Sequence, residues 1–358
     1  MDKILINPGP LTSFNSLSYH LGPHLNKIRN QYIHGNSFEI ELNLTELNFN
    51  DKINVSALAA LLSTLKVLAD FQGKPLETYF PWDPYVQGFL HNVDFFNIAT
   101  KLNILSWSKE AVGGFSNYKL NPNTTLLYFG DNIPRHLNLS IEELEEQKFI
   151  KKRKIGPNFI VRAKGLMDNS GLDDLFIDLI TNITLEFITN SLVHGRDYCF
   201  VALQRFSKRI TISVCDSGIG FKRSLQNAYP EYSALKNINH TQAIILGCLI
   251  QKKYHGLRMA IDQVLNLDEY NISYYNEGWV IVSSYDTEIR WQKKNWENAK
   301  EIFEHIDLKQ SMFSEKVILG EELKDRMPYD SIQNMGYYKK YPHKHTGTRV
   351  TFEIKLEK

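Results

Sequence analysis

The hydrophobic period of the chain switches within its first third, and this switch constrains the fold more than any other feature. Residues 38–47, FEIELNLTEL, alternate apolar and polar positions as a half-buried strand requires, whereas VSALAALLSTLKVLADF repeats its apolar residues at helical spacing. Gly73 and Pro75 break that helix, LETYF reads as a second strand, and the stretch from Asp83 to Phe96 reads as a short helix turning Phe89, Leu90 and Phe95 inward. Strands and helices in alternation form an α/β unit. At 358 residues the chain exceeds one ordinary domain of ~100 to 200 residues, so two domains are expected. Its 43% hydrophobic and 12% aromatic residues suffice for buried cores and exclude disorder as the main state.

The pattern then changes. Residues 108–155 read as a connecting segment, since SKEAVGG, NPNTT and the mixed-charge run EELEEQKFIKKRKIG show little sustained periodicity, although TTLLYFG has the character of one more strand of the first domain. From Leu172 to His194, the residues Leu172, Leu175, Phe176, Leu179, Ile183 and Phe187 recur every three or four positions, which predicts a long amphipathic helix stopping at Gly195. FVALQRF, ITISVCD, WVIVSSY and RVTFEIKL are β-rich runs with period-two character, predicting an antiparallel or mixed sheet with helices on one face. The expected fold class is α/β for a first domain, residues 1–107, and α+β for a second, residues 156–358.

Lys and Arg total 41 against 40 for Asp and Glu, and the net charge of +1 offers no global attraction to nucleic acid or acidic membranes. The interleaving of Tyr337, Tyr338 and Tyr341 with Lys339 and Lys340 is then at most a local feature, and nucleic acid is not expected as a partner. Cys199, Cys215 and Cys248 are widely spaced and fit neither a disulfide framework nor a paired-cysteine zinc site, while His343-Lys344-His345 lacks Cys, Asp or Glu at ligand spacing. The start MDKILINPGPLTSF lacks the apolar core of a signal peptide, and no run reaches the ~20 apolar residues of a membrane span, so a soluble, cytoplasmic protein is expected.

Two short strings carry groups with chemistry. In LEFITNSLVHG, Glu186, Asn190 and His194 are four apart, which sets a carboxylate, an amide and an imidazole on one helix face; spacing alone fits a solvated face equally well. ITISVCDSGIGF ends a β-rich run in Asp216, Gly218 and Gly220, an acid at a strand end followed by residues that permit close backbone approach. A carboxylate so placed can accept a hydrogen bond from an adenine amino group, though tight turns after strands use the same residues.

In their order these strings resemble the motifs of the gyrase, chaperone, histidine-kinase and mismatch-repair (GHKL) superfamily of ATPases. The segment with Glu186, Asn190, His194 and Gly195 resembles its N box, and Asp216-x-Gly218-x-Gly220 its first glycine box. LIQKKYHGLRMAIDQV, with Gly256 and Leu257, resembles the second glycine box, and HTGTRVTFEI, with Gly347 and Thr348, the final Gly-Thr element. EFITNSLVHG is especially similar to the N box of the anti-sigma-factor serine kinases, and no phosphoacceptor-histidine helix precedes it. The resemblance implies a two-layer α/β sandwich that binds ATP and Mg²⁺, in which Asn190 holds the metal, Asp216 reads adenine, His194 lies near the phosphates, and Glu186 orients or deprotonates an attacking water or hydroxyl. It also implies that HTQAIILGCLIQKK is a lid over the nucleotide. The second glycine box departs from the pattern in having Arg258 where a small residue is common; Arg258, Lys252 or Lys253 could add charge beside the phosphates. Residues 286–340 have no counterpart in the smallest kinases of the family and read as an insertion that could form a partner surface.

Over residues 36–100 the first domain resembles a sulphate-transporter and anti-sigma-antagonist (STAS) domain, on the strand ending LTELNF, the helix VSALAALLSTLKVL, Gly73, and the strand leading to FPWDP. The resemblance sets Ser56 nearest the serine phosphorylated in regulatory members, but Asp51-Lys52-Ile53-Asn54-Val55-Ser56 lacks the usual glycine, and Ser56 reads as a helix N-cap. The expectation is a Mg²⁺-ATP-binding regulatory protein that either phosphorylates protein serine or threonine or uses nucleotide as a conformational switch. Another regulatory protein and a second copy of the chain are the expected kinds of partner. A noncatalytic interaction module with a degenerate nucleotide pocket is the alternative.

Overall fold

The computed structural model describes residues 2–48, 53–108, 123–137, 139–167, 172–230, 232–249, 256–270, 275–304 and 338–356. The chain divides into two compact units: Met1–Tyr128 with Phe200–Gln204 and Tyr341–His345, and Phe129–Cys199 with Arg205–Lys340 and Thr346–Lys358. The architecture is mixed α/β, with one parallel and one antiparallel sheet.

In the first unit β1 (Asp2–Ile6), α1 (Phe14–Ile33), β2 (Phe38–Asn43), α2 (Val55–Gln72), β3 (Leu76–Tyr79), α3 (Pro84–Asn92), α4 (Phe95–Lys101) and β4 (Leu105–Ser106) follow one another. The strands form a parallel sheet in the order β1-β2-β3-β4. The expected alternation is present, with local differences. β2 stops at Asn43 because the Asn43 side chain accepts from the amide (2.9 Å) and hydroxyl (2.7 Å) of Thr45, which diverts the chain into a turn. The helix expected over Asp83–Phe96 divides at Asp94, whose φ of 71° is a left-handed conformation that Asp tolerates better than most residues. Asn54, and not Ser56, caps α2: its side chain accepts from the Ala57 amide at 3.2 Å, and Ser56 is buried in the first turn.

After β5 (Thr124–Phe129) come α5 (Ile141–Met167), α6 (Asp174–Asn190), β6 (Cys199–Phe206), β7 (Arg209–Asp216), α7 (Gly220–Ala228), α8 (His240–Leu249) and α9 (Leu257–Leu265). β8 (Tyr275–Ser284), β9 (Thr287–Gln292), α10 (Lys293–Glu304), β10 (Tyr338–Lys340) and β11 (Thr348–Leu356) complete the order. A seven-stranded sheet runs β10-β9-β8-β11-β7-β6-β5. The pairs β10–β9, β9–β8, β8–β11 and β11–β7 are antiparallel. β11 is therefore an inner strand: Val350, Phe352 and Ile354 are buried, and the Phe352 ring lies 5.6 Å from that of Phe187 on α6.

The stretch 108–155 contains β5 and the first half of α5. The periodicity of α5 is hidden because its buried stripe, Leu144, Lys148, Lys151, Ile155, Phe159 and Ala163, has two lysines where apolar residues would show it. Its start is nonetheless written in the sequence. The Ser140 hydroxyl accepts from the Glu143 amide (3.2 Å) and the Glu143 carboxylate from the Ser140 amide (2.7 Å), a capping box of the form Ser-x-x-Glu.

Two further expectations change. α8, expected as a lid, is a core helix: Ala243, Ile244, Ile245, Leu246, Cys248 and Leu249 are buried, and it packs on α7, α9, β8 and β9. Within the expected insertion, Trp291 of β9 and Trp296 of α10 are fully buried 5.1 Å apart, and the Trp296 indole donates to Asp262 of α9 at 2.8 Å. These elements are integral to the unit; residues 305–337 lie outside the described residues. Contrary to the expectation that no run is long enough, Val55–Gln72 and Asp174–Gly195 meet the length and apolarity of a membrane span, but 78% of the most apolar 18 residues of each is buried within the protein, as in core helices.

Phe352→Ala should lower the unfolding free energy by about 3–5 kcal/mol, the usual cost of losing a large buried aromatic, and Phe352→Leu should cost less. Urea unfolding midpoints of the three proteins measure both.

Candidate functional site

α6 does not stop at Asn190. It runs on as a π-helical turn, Ser191–Gly195, a rare geometry frequent at functional sites, and the chain reverses at Arg196 with φ 58°. The helix ends at Gly195, as expected, with Arg196 as its left-handed cap, and Gly195 also answers a different need: a β-carbon there would come within 2.9 Å of the Asp216 carboxyl. Gly218 packs against the same place, where a β-carbon would meet the Gly195 carbonyl oxygen at 1.8 Å. The left-handed Arg196 is held from outside, since its guanidinium donates to the carbonyls of Arg135 and Leu137 while the Asn132 amide donates to the Arg196 carbonyl at 3.3 Å.

Asp216 ends β7 and pairs with Thr348, the first residue of β11. Its Oδ1 accepts from the amides of Gly218 (2.9 Å) and Thr348 (3.2 Å), and Ser191 supplies a side-chain hydrogen bond. At Gly347, with φ 73°, a β-carbon would stand 1.9 Å from the Asp216 carbonyl oxygen, so only glycine permits this approach. Burial, opposed by these hydrogen bonds, pushes the Asp216 carboxyl up to about 7.

Beside this carboxylate lies a cavity of about 110 Å³. Phe187, Asn190, Ser191 and His194 line it from α6 and its π-turn, Gly220, Phe221, Leu225 and Tyr229 from α7 and its end, Leu257 from α9, and Thr348 and Val350 from β11. An engineered cavity of ~150 Å³ accepts benzene, so this one has the dimensions of a single planar ring and lies below the ~300 Å³ at which pockets engulf a drug-sized ligand. The Asn190 amide nitrogen is buried in its wall with no partner among the described residues.

Of the residues expected at a site, Asn190, His194, Asp216, Gly220, Leu257 and Thr348 meet at this cavity. Gly218 and Gly347 pack against Gly195 and Asp216 behind it, and Gly256 is the N-cap of α9. Glu186 is elsewhere. It is buried, and its carboxylate pairs with the buried Lys148 of α5 and with Lys152 at 3.9 Å, so at this residue the helix face is not solvated. Arg258 donates to the Leu249 carbonyl at 3.2 Å, which ties α9 to the end of α8, and Lys252 and Lys253 lie outside the described residues. His343 bonds to Asn26 at 2.8 Å, and among the described residues no group of three or more His, Cys, Asp or Glu could hold a metal. The Asn190 amide suits Mg²⁺ only as one oxygen ligand in a shell completed by a ligand's oxygens and water.

Phe221, Leu225 and Tyr229 are cavity residues that the motifs do not reveal, although their spacing of four directly after Gly220 is the signature of one helix face. Ser191 and Lys148 carry no such signal. Compared with known proteins, the chain matches no family model, no curated protein and no solved structure.

The buried Asp216 makes stability depend on pH. An Asp in an unfolded chain titrates near 3.9, so between about pH 4 and about pH 7 the folded protein retains a proton that the unfolded chain has released. Stability should fall as pH rises across this window, by on the order of a few kcal/mol, and Asp216→Asn should flatten the decline. Urea midpoints of both proteins at a series of pH values provide the comparison.

Proposed function

We propose that the second unit binds an adenine nucleotide with Mg²⁺ and acts as a nucleotide-dependent switch in a regulatory protein. The observation that carries this reading is convergence: four segments far apart in sequence, around Asn190, Asp216, Leu257 and Thr348, line one apolar cavity with a buried carboxylate in its wall. In the proposed complex Asp216 accepts the exocyclic amine of adenine, the Asn190 oxygen holds Mg²⁺, and His194 stands beside the phosphates. Bound Mg²⁺ would supply charge neutralisation for the phosphates. The match of these residues to the N box and glycine boxes supports a GHKL-type fold for this unit, as the strand-helix order supports a STAS-like first unit.

Glu186 favours a switch over turnover. A general base needs a carboxylate within reach of the proton it takes, and this one is closed into an ion pair with Lys148 away from the cavity wall. The same observation favours, as a second reading, an interaction module that binds nucleotide without chemistry. Transfer of phosphate to a protein serine or threonine would first require Lys148 to release Glu186.

Competition binding with ATP and GTP at pH 8 or above, where the Asp216 carboxyl is mostly ionised, tests the base assignment. Guanine presents a carbonyl oxygen where adenine presents its amine, so two acceptors would face each other at Asp216, and ATP should bind at least ~10-fold more tightly. Equal affinity for the two nucleotides, or an Asp216→Asn variant with unaltered preference, sinks the assignment. Asn190→Ala should remove most of the Mg²⁺-dependent part of ATP affinity in a folded protein. Glu186→Ala should leave ATP affinity in place yet lower stability by roughly 3–5 kcal/mol, because Lys148 would be buried without its partner; calorimetric titration and urea unfolding of the same samples separate the two effects.

A further inference from the structure

One face of the parallel sheet of the first unit carries charged residues and a tyrosine. All-parallel sheets are ordinarily covered on both faces and read as continuous apolar runs. Here β1 and β3 alternate: Ile4, Ile6, Ile40, Leu42, Leu76 and Thr78 are buried, whereas at the intervening positions Lys3, Leu5, Glu77 and Tyr79 are exposed, Glu39 is half-exposed, and Glu41 of β2 is buried and bonded to Lys3 and Tyr79. With the usual right-handed crossovers, sequential strand order sends the described connecting helices to the face opposite these residues.

At this face lies a cavity of about 590 Å³, within the ~300–1,000 Å³ of ligand pockets, with Glu39, Lys74, Glu77, Tyr79, Trp82 and Trp107 in its walls. Its chemistry is aromatic and acidic. Trp107 is fixed against Phe80 (5.4 Å between rings) and Phe96 (5.6 Å), whereas Trp82 is 87% exposed. Lys3 answers Glu41 and Lys74 answers Glu39, both as ion pairs, but Glu77 makes no hydrogen bond or ion pair among the described residues. Glu77 feels Lys3 only at longer range, so the three carboxylates Glu39, Glu41 and Glu77 outnumber the two lysines beside two indoles and a phenol.

We propose that this cavity and the sheet face around it dock an arginine-bearing segment of a partner protein. A guanidinium is planar, stacks on indole and phenol faces, and is weakly hydrated enough to leave water for such a slot. Its charge is answered by Glu77. An anionic ligand would meet the carboxylates of Glu39 and Glu77, and a neutral apolar one would leave Glu77 desolvated without a partner. The volume exceeds that of one side chain, and the exposed Lys3, Leu5 and Tyr79 beside it offer surface for the rest of a segment.

The test uses the full-length chain and a fluorescein-labelled, arginine-rich hexapeptide, read by anisotropy at low salt, with a peptide of the same sequence carrying citrulline for arginine. Saturable binding is expected, weakened at least ~10-fold by the citrulline exchange and by Trp82→Ala or Glu77→Gln. Both positions are exposed, so these variants retain the fold. Asn190→Ala, in the other unit, should bind the peptide like the parent whether or not the nucleotide reading holds. Equal binding of the two peptides, indifference to Trp82→Ala and Glu77→Gln, an equal loss in Asn190→Ala, or displacement by spermidine at a concentration equal to the peptide's would each overturn the proposal.

Discussion

A carboxylate held away from water governs the second unit. Asp216 ends a strand inside the protein, and a buried acceptor without donors would cost roughly 1–3 kcal/mol, more if ionised. Its donors come from three distant parts of the chain: Ser191 in the π-turn, the amide of Gly218 just beyond β7, and the amide of Thr348 at the start of β11. Bringing these backbones onto one side chain leaves no space for β-carbons at Gly195, Gly218 or Gly347. The glycines are thus first a consequence of satisfying Asp216, and any service to a ligand comes second. The same convergence makes β11 an inner strand and fixes where α6 ends.

The second constraint is the pairing of Lys148 with Glu186 between α5 and α6. Two charges taken out of water stabilise little on balance, because desolvation offsets their attraction, but either one alone is strongly destabilising. The pair therefore specifies which helix lies against α6 more than it stabilises the contact. It also fixes Glu186 one helical turn from Asn190, near the cavity but engaged elsewhere. Chemistry that needs a free carboxylate at Glu186 requires α5 to yield first, and so would be coupled to whatever moves α5.

The sequence made some of this legible and not the rest, for physical reasons. Periodicity located α2, α6 and the strands because each buries one regular face. The same test passed over α5, whose buried stripe includes Lys148 and Lys151, since a lysine is scored as exposed unless its partner is known; the capping box at Ser140 and Glu143 was the one local signal of its start. Spacing put Glu186, Asn190 and His194 on one face, yet only two of the three reach the cavity, because the third is taken by a residue 38 positions away. Gly195 was readable as a break but not as the floor beneath Asp216, a contact that exists only once β7 is packed on the π-turn.

The dimensions of the cavity determine how recognition would be divided in the proposed complex. A space of about 110 Å³ admits a ring, so the base contributes one hydrogen bond to Asp216 and apolar contact with Phe221, Leu225 and Leu257, a gain of a few kcal/mol. Micromolar affinity needs about 8 kcal/mol, and the difference has to come from the phosphates, through Mg²⁺ at Asn190 and the backbone amides at the start of α9. A base without phosphates would then bind weakly, and phosphates without the base would have nothing to fix their register. The ring already touches α6, α7 and α9, and a ligand with both ends adds to these contacts the phosphate interactions at Asn190 and at the start of α9. A ligand shifts an equilibrium by its difference in affinity for the two states. A molecule bound across all three helices would therefore favour the arrangement in which they line one cavity by the value of the interactions lost when any one helix moves away.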